Sequence, residues 1–304
     1  LPVFYEAFAQ AVAEVYPDAV ATHHDADASA NVALPPVLRF GTWVGGDMDG
    51  NPGVGAETVR DSLLAHRGLV VSRYLEELHE LAEQLSQSLS RVSVSAALLA
   101  RLEDYRQRLP EAAAAIAPRH REMPYRCMLL LMSARLRETT LDGSGAYAQP
   151  DELLADIDLL SDSLMRHGGR HAGLHLLARL RWRVRSFGFH FAALDVRQHA
   201  AVHRAALAAL LADPDWAGRP AHERTQRLRE VLQAQLAFAP SDDAGLRRCL
   251  DVFRALDWAR GRFGAQALGL YIVSMSEDAD DVLSVLALAA AAGMQPPALD
   301  VAPL

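Results

Sequence analysis

Two short stretches of this chain carry side chains able to grip or polarise a substrate. In Arg39-Phe40-Gly41-Thr42-Trp43-Val44-Gly45-Gly46-Asp47-Met48-Asp49-Gly50-Asn51-Pro52, glycines and a proline alternate with two aspartates and an asparagine behind a short apolar lead. That composition marks a tight loop where the backbone takes φ > 0 or passes close to a neighbour. Loops at the ends of apolar runs are frequent sites, although the same pattern suits an ordinary turn capping a buried strand. The second stretch, Asp195-Val196-Arg197-Gln198, sets a permanent cation beside a carboxylate and an amide. A guanidinium offers parallel N–H donors to phosphate or carboxylate, so Arg197 is a candidate clamp for an anionic substrate. The alternative is an arginine paired structurally with Asp195 or with a helix end.

Histidine spacing raises a different chemistry. His199 and His203, and likewise His167, His171 and His175, stand four apart, which on a helix puts imidazoles on one face and makes a zinc site conceivable. The pair lacks the glutamate of HExxH, however, and Gly168-Gly169 interrupts the triplet. His23-His24-Asp25-Ala26-Asp27 lies in a polar linker with no later partner at ligand spacing, so it is read as solvated loop. Asp47-Met48-Asp49-Gly50-Asn51 resembles a calcium loop only faintly: the glycine falls early, and Thr58 stands where the bidentate glutamate belongs. No metal-ligand set is therefore assigned to this chain. GxGxxG, Walker A and GxSxG patterns are absent too.

Composition narrows the classes further. All 30 basic residues are arginine, so chemistry that needs a Schiff-base lysine, a P-loop lysine or a lysine base is excluded. A net charge of -8 with scattered arginines argues against nucleic-acid binding. The 51% hydrophobic and 22% charged content describes a soluble globular protein, and no apolar run reaches the length of a membrane span. Cys127 and Cys249 lie far apart without a CxxC, as reduced cysteines of a cytosolic protein would. The 304 residues suggest one or two domains, and the chain's opening at Leu1 and close at Leu304 read as a piece of something longer.

The elements that must hold these residues are mostly helices. Apolar spacing predicts helices over 2–16, 56–88, 95–109, 122–140, 151–166, 171–185, 198–212, 221–236, 243–263 and 278–292. Within 56–88 the buried stripe is read as Leu63, Leu64, Leu69, Val70, Tyr74, Leu75, Leu78, Leu81 and Leu85. Three near-continuous apolar runs, 187–196, 267–274 and 298–302, are read as buried strands. Strand, helix, strand, helix, strand is the grammar of parallel βα units, whose sites gather at the C-terminal ends of strands. The fold expected is mainly α with parallel βα units: residues 1–186 a helix-rich region bearing the glycine loop at 40–52, and residues 187–304 a barrel-strand region continuous with it.

Three blocks together resemble the bacterial-type phosphoenolpyruvate carboxylase family. Phe40–Pro52 is similar to the family's Phe-Gly-Ser-Trp-Met-Gly-Gly-Asp-Arg-Asp-Gly-Asn-Pro. Phe187–Gln198 is similar to its Phe-Gly-Leu…Leu-Asp-Ile-Arg-Gln, and Tyr271-Ile272-Val273-Ser274-Met275 to its Tyr-Val-Ile-Ser-Met. Weaker likeness, such as Pro124-Tyr125-Arg126, fills the gaps. The resemblance implies a partial TIM-like (β/α) barrel embedded in many helices. It also implies carboxylation of phosphoenolpyruvate by bicarbonate through carboxyphosphate and an enolate, giving oxaloacetate and phosphate. Mg²⁺ or Mn²⁺ would be required, with ligands outside this chain, in a cytoplasmic, allosteric homotetramer. By motif position, Arg197 resembles the arginine that grips the substrate phosphate and Trp43 the tryptophan beside its methylene group. Gly45, Gly46, Asp47, Asp49, Asn51, Asp195 and Gln198 would support them.

Two departures stand out: Met48 replaces the family's arginine, and His199-Ala200 replaces Glu-Ser. By the same resemblance, the catalytic histidine would precede Leu1 and the metal glutamate would follow Leu304. Residues 1–304 alone are then expected to be inactive. The alternative reading, which Met48 favours, is a non-catalytic helical scaffold or regulatory module derived from the family.

Overall fold

The computed structural model describes residues 3–4, 7–8, 10–11, 38–169, 171–234, 242–296 and 299–304. Among these, helices predominate, and β1 (Gly41–Thr42), β2 (Ala193–His199), β3 (Leu268–Ser274) and β4 (Asp300–Pro303) form a sheet in that order. Every pairing in it is parallel. The chain divides into two compact units: a helical unit that takes in Arg67–Phe191, and a sheet unit that joins Phe40–His66 to Ala192–Leu304. The expected mainly helical protein with parallel βα units is therefore present. Most of the expected helix over 2–16, and the linker holding His23 and His24, lie outside the described residues.

In the helical unit, α1 (Ala56–Gln84) contributes its later turns, followed by α2 (Ala96–Arg108), α3 (Pro110–Ala114), α4 (Pro124–Leu141), α5 (Pro150–Arg166) and α6 (Leu174–Phe187). Start signals explain the boundaries: Ser95 Oγ accepts from the Leu98 N–H to cap α2, and prolines open α3, α4 and α5 where the missing N–H costs nothing. Tyr74, Leu78 and Leu81 recur at helical spacing on α1, Leu85 continues the row just past its end, and all four share one buried cluster with Leu102, Met128, Met132 and Leu160. Leu64 and Leu69, expected in that stripe, are exposed: Leu69 falls on the opposite side of the helix, and Leu64 on the flank beside the buried Leu63.

The strand expected over 187–196 is displaced. α6 runs on through Phe187, Gly188 ends it with φ +49, and Phe191 takes φ +68 before β2 begins at Ala193. The apolar run was real but served a turn, since Phe187 and Phe191 pack ring on ring at 5.5 Å and Phe189 is buried in the helical core. β2 therefore extends further than expected: it takes in Arg197, and Gln198 and His199 belong to the strand rather than to the helix expected from 198.

In the sheet unit, β2 is followed by α7 (Ala200–Leu210), α8 (Ala221–Ala234) and α9 (Ala244–Phe263), and β3 by α10 (Ala279–Ala291). Parallel register pairs Val196 with Tyr271 and Arg197 with Ile272, so alternate residues share a face across the strands. One face, Leu194, Val196, Tyr271 and Val273, is buried beneath Leu207, Phe253, Leu256 and Leu288. The other face carries Arg197, Leu270 and Ile272, and Leu270 is 45% exposed. Two buried ion pairs fix the start of α10: Arg224 Nε donates to Asp280 at 2.5 Å, and Arg204 holds Asp281 through Nε at 2.9 Å and Nη2 at 2.8 Å.

His203 of α7 is wholly buried, with its Nε2 2.8 Å from the Tyr271 hydroxyl. Burial pushes its pKa down to about 4 from 6.5, so the folded chain holds it neutral where an unfolded one would protonate it. Its contribution to stability is full above pH 6.5 and is lost as the pH falls toward 4, on the order of 3 kcal/mol across that window. Chemical unfolding at a series of pH values should therefore show a steeper acid-side loss for the native chain than for His203→Gln. Equal slopes would contradict this.

Candidate functional site

The glycine loop is a detour out of the sheet and back into it. β1 pairs Gly41 with Ala193 and Thr42 with Leu194, and the chain then turns, with the Gly46 N–H donating to the Trp43 carbonyl at 2.9 Å. Gly45 sits at φ +89 in that turn, where a Cβ would also strike Ser62 Oγ. The chain rejoins β2 further along: the Arg197 N–H donates to Gly46 O, and the Met48 N–H to Arg197 O, each at 2.9 Å. Gly46 is required there by contact, because a Cβ would lie 2.1 Å from the Asp195 carbonyl oxygen.

This backbone bridge sets Asp47 directly beside Arg197. Arg197 Nε donates to Asp47 Oδ1 at 2.8 Å and Nη2 to Oδ2 at 3.0 Å, a two-pronged pair, with Asp49 Oδ2 at 3.9 Å from Nε. The Asp47 carboxylate bonded to it holds the Arg197 guanidinium above its ordinary value. Asp47 Oδ1 also accepts from the Asp49 N–H at 3.3 Å, and Asn51 Oδ1 accepts from the Gly53 N–H at 3.2 Å, so side chains shape the loop from within. Arg197 remains 36% exposed, and its Nη1 has no hydrogen-bond partner among the described residues. The result is a guanidinium with one edge fixed and another edge open to solvent. Such a group can receive an oxyanion without first being reoriented.

The remaining expected residues divide. Asp195 Oδ1 accepts from the Leu270 N–H at 2.8 Å, at the point where the β2–β3 register shifts. Gly269 is accommodated there because a Cβ would meet that same oxygen. Asp195 thus fastens two strands and is not the partner of Arg197. Gln198 Oε1 accepts from the His199 N–H at 2.8 Å, and His199 Nδ1 caps α7 by accepting from the Ala201 N–H at 3.0 Å. Trp43 lies in the turn and is 66% exposed, outside the core. Met48 is buried in the core of the sheet unit, so its side chain packs rather than facing the open edge of Arg197. Met275, which closes the third sequence block but was given no role there, is an exposed apolar residue at φ +54 directly after β3, and its place at a strand's C-terminal end was the available signal.

Among the described residues, no three His, Cys, Asp or Glu side chains converge to hold a metal ion. Asp47 is committed to Arg197, His203 to Tyr271, and His167 Nδ1 lies 2.8 Å from Ser163 O. A divalent metal therefore finds no ligand set on these residues. No described helix is long and apolar enough to cross a membrane.

Since Gly46 abuts rigid backbone, Gly46→Ala should cost about 1–3 kcal/mol in chemical unfolding. Gly55→Ala, where a Cβ meets nothing within 4 Å, should stay within about 0.5 kcal/mol of the native chain. Equal effects at the two positions would show that the loop does not seat on β2 as described.

Comparison with known proteins agrees with the three sequence blocks. A family model described as phosphoenolpyruvate carboxylase matches residues 1–304. The phosphoenolpyruvate carboxylase of Xanthomonas campestris pv. campestris is 48% identical over 308 residues, covering 100% of this chain and 33% of that protein. The one from Ralstonia nicotianae is 35% identical over 314 residues, covering 97% of this chain and 30% of that protein. The one from Mycolicibacterium paratuberculosis is 34% identical over 285 residues, covering 87% and 29%. The chain spans about a third of the length of these curated relatives. With a match running from its first residue to its last, the chain belongs to the phosphoenolpyruvate carboxylase family.

Proposed function

We propose that this chain supplies the phosphate-gripping part of an enzyme that carboxylates phosphoenolpyruvate with bicarbonate, giving oxaloacetate and phosphate. The observation that carries this reading is Arg197, at the C-terminal end of a parallel strand, tied along one edge to Asp47 and open along another. In the reaction the phosphoryl group leaves the enol oxygen for bicarbonate, the enol carbon then bonds to the carboxyl carbon, and phosphate departs. Negative charge shifts among phosphoryl and enol oxygens throughout, and a fixed cation beside them lowers the barrier without reorganising. Asp47 keeps the guanidinium in place. Trp43 gives the substrate's CH₂ group an apolar wall.

The sheet is read as part of a (β/α) barrel. Parallel sheets are normally buried on both faces, yet here helices cover one face while Leu270 on the other is 45% exposed. Closing that face with further strands would bury Leu270 and Ile272 and draw the strand ends, where Arg197 lies, around one pocket. The enzyme's Mg²⁺ or Mn²⁺ is placed on ligands beyond this chain, and no step is assigned to it here. The working form is read as a cytoplasmic homotetramer with no nucleic-acid partner.

In the protein at the length of its relatives, Arg197→Lys should lose about 2–4 kcal/mol of transition-state stabilisation, because an ammonium cannot hold Asp47 and a phosphoryl group in one plane. Steady-state turnover close to that of the native enzyme would make Arg197 structural only. Trp43→Ala should raise the half-saturating concentration of phosphoenolpyruvate with little change in melting temperature, since the ring lies outside the core. A drop in melting temperature of the size seen for core tryptophans, about 3–5 kcal/mol in stability terms, with unchanged half-saturation would overturn the assignment.

A further inference from the structure

A second arginine-lined site lies within the helical unit. Between α2, α4 and α5 opens a cavity of about 290 Å³ lined by Arg101, Asp104, Tyr105, Arg108, Arg135 and Glu152. We propose that this cavity binds a small oxyanion, the carboxylate or phosphate group of a metabolite, between Arg101 and Arg135 above the Tyr105 hydroxyl. The first support is that Arg135 is fixed before any ligand arrives. Its Nε donates to Gly145 O at 3.0 Å, its Nη2 to Ala146 O at 3.0 Å and Glu152 Oε2 at 2.6 Å, and its Nη1 to the Tyr105 hydroxyl at 2.5 Å. The guanidinium lies 3.9 Å from the centroid of the Tyr147 ring, and only 6% of the side chain is exposed. A cation held this firmly at a cavity wall costs no ordering when an anion binds.

The second support is a surplus of donors. Asp156, fully buried beneath the cavity, accepts from Tyr105 at 2.5 Å, Tyr147 at 2.7 Å and Arg101 Nη1 at 2.6 Å, so its oxygens are committed. Asp104 is engaged by Arg108 Nε at 3.0 Å, and Glu152 by Arg135. Arg101 donates from Nη1 to Asp156 and also interacts with the Tyr105 hydroxyl, and Arg108 donates from Nε to Asp104, so each fork keeps N–H groups that can turn to an incoming acceptor. These two side chains are 38% and 60% exposed, so water meets their remaining donors until an occupant enters, and a carboxylate or phosphate supplies the most acceptors per atom to replace it. The volume sits at the small end of ligand pockets, which suits a small metabolite.

The test is titration calorimetry of the protein at the length of its relatives with inorganic phosphate and, separately, with malonate. Native protein and Arg197→Gln should share a binding event for at least one of the two anions. Arg101→Gln, half exposed and expected to fold, should weaken that event by about tenfold or more, and Arg108→Gln should weaken it less. Whichever anion gives the event identifies the source, phosphate or carboxylate. Loss of the event in Arg197→Gln with retention in Arg101→Gln, or no event for either anion in a protein with a native melting temperature, would overturn the proposal.

Discussion

Everything at the candidate site depends on one pairing, the two-pronged contact of Asp47 with Arg197. Both side chains are partly exposed, and pairs of that kind contribute little to stability. Orientation is what the pairing provides. A lone arginine on a strand samples many rotamers, whereas this one is bonded at Nε and Nη2 and bridged through its own backbone on both sides of the loop. The loop in turn lies against β2 only because Gly46 has no side chain. The glycines, the acid and the arginine form one device, and removing any of them leaves the others without a purpose.

The rest of the sheet unit keeps the strand ends in register around that device. Asp195 takes up the register shift between β2 and β3, and the Leu304 N–H and Ser276 N–H carry backbone bonding past the ends of β3 and β4. Behind the sheet, Arg204 and Arg224 bind the two aspartates that open α10, where negative charge also suits the helix dipole. Buried ion pairs are poor sources of net stability but costly to break, so they specify where α10 begins more than how tightly it packs. A chain whose only basic side chain, histidine aside, is arginine is well supplied for such planar contacts.

The helices were legible in the sequence because their apolar positions recur at a period that nothing else produces; α9 and α10 match the expected 243–263 and 278–292 to within a residue at each end. β3 was legible for a different reason, as a short run rich in β-branched and aromatic side chains. The run at 187–196 failed because a buried aromatic turn and a buried strand have the same composition, and only the positive φ of Gly188 and Phe191 separates them. The glycine loop could be located but not its partner: Asp47 and Arg197 are 150 residues apart, and no local pattern marks which acid an arginine will meet. Asp195, two residues away in sequence, was the natural guess. Strand geometry prevents that pairing, since the Asp195 carboxylate is drawn to the Leu270 N–H across the strand gap.

The central claim is that Arg197 meets the substrate's phosphoryl group with the edge that Asp47 leaves open. A crystal structure of the protein at the length of its relatives, with phosphoenolpyruvate and a divalent cation bound, tests it most directly. The account predicts a phosphoryl oxygen within about 3 Å of Arg197 Nη1 or Nη2 while Nε stays on Asp47. A phosphoryl group held elsewhere, with Arg197 still facing solvent, would contradict it.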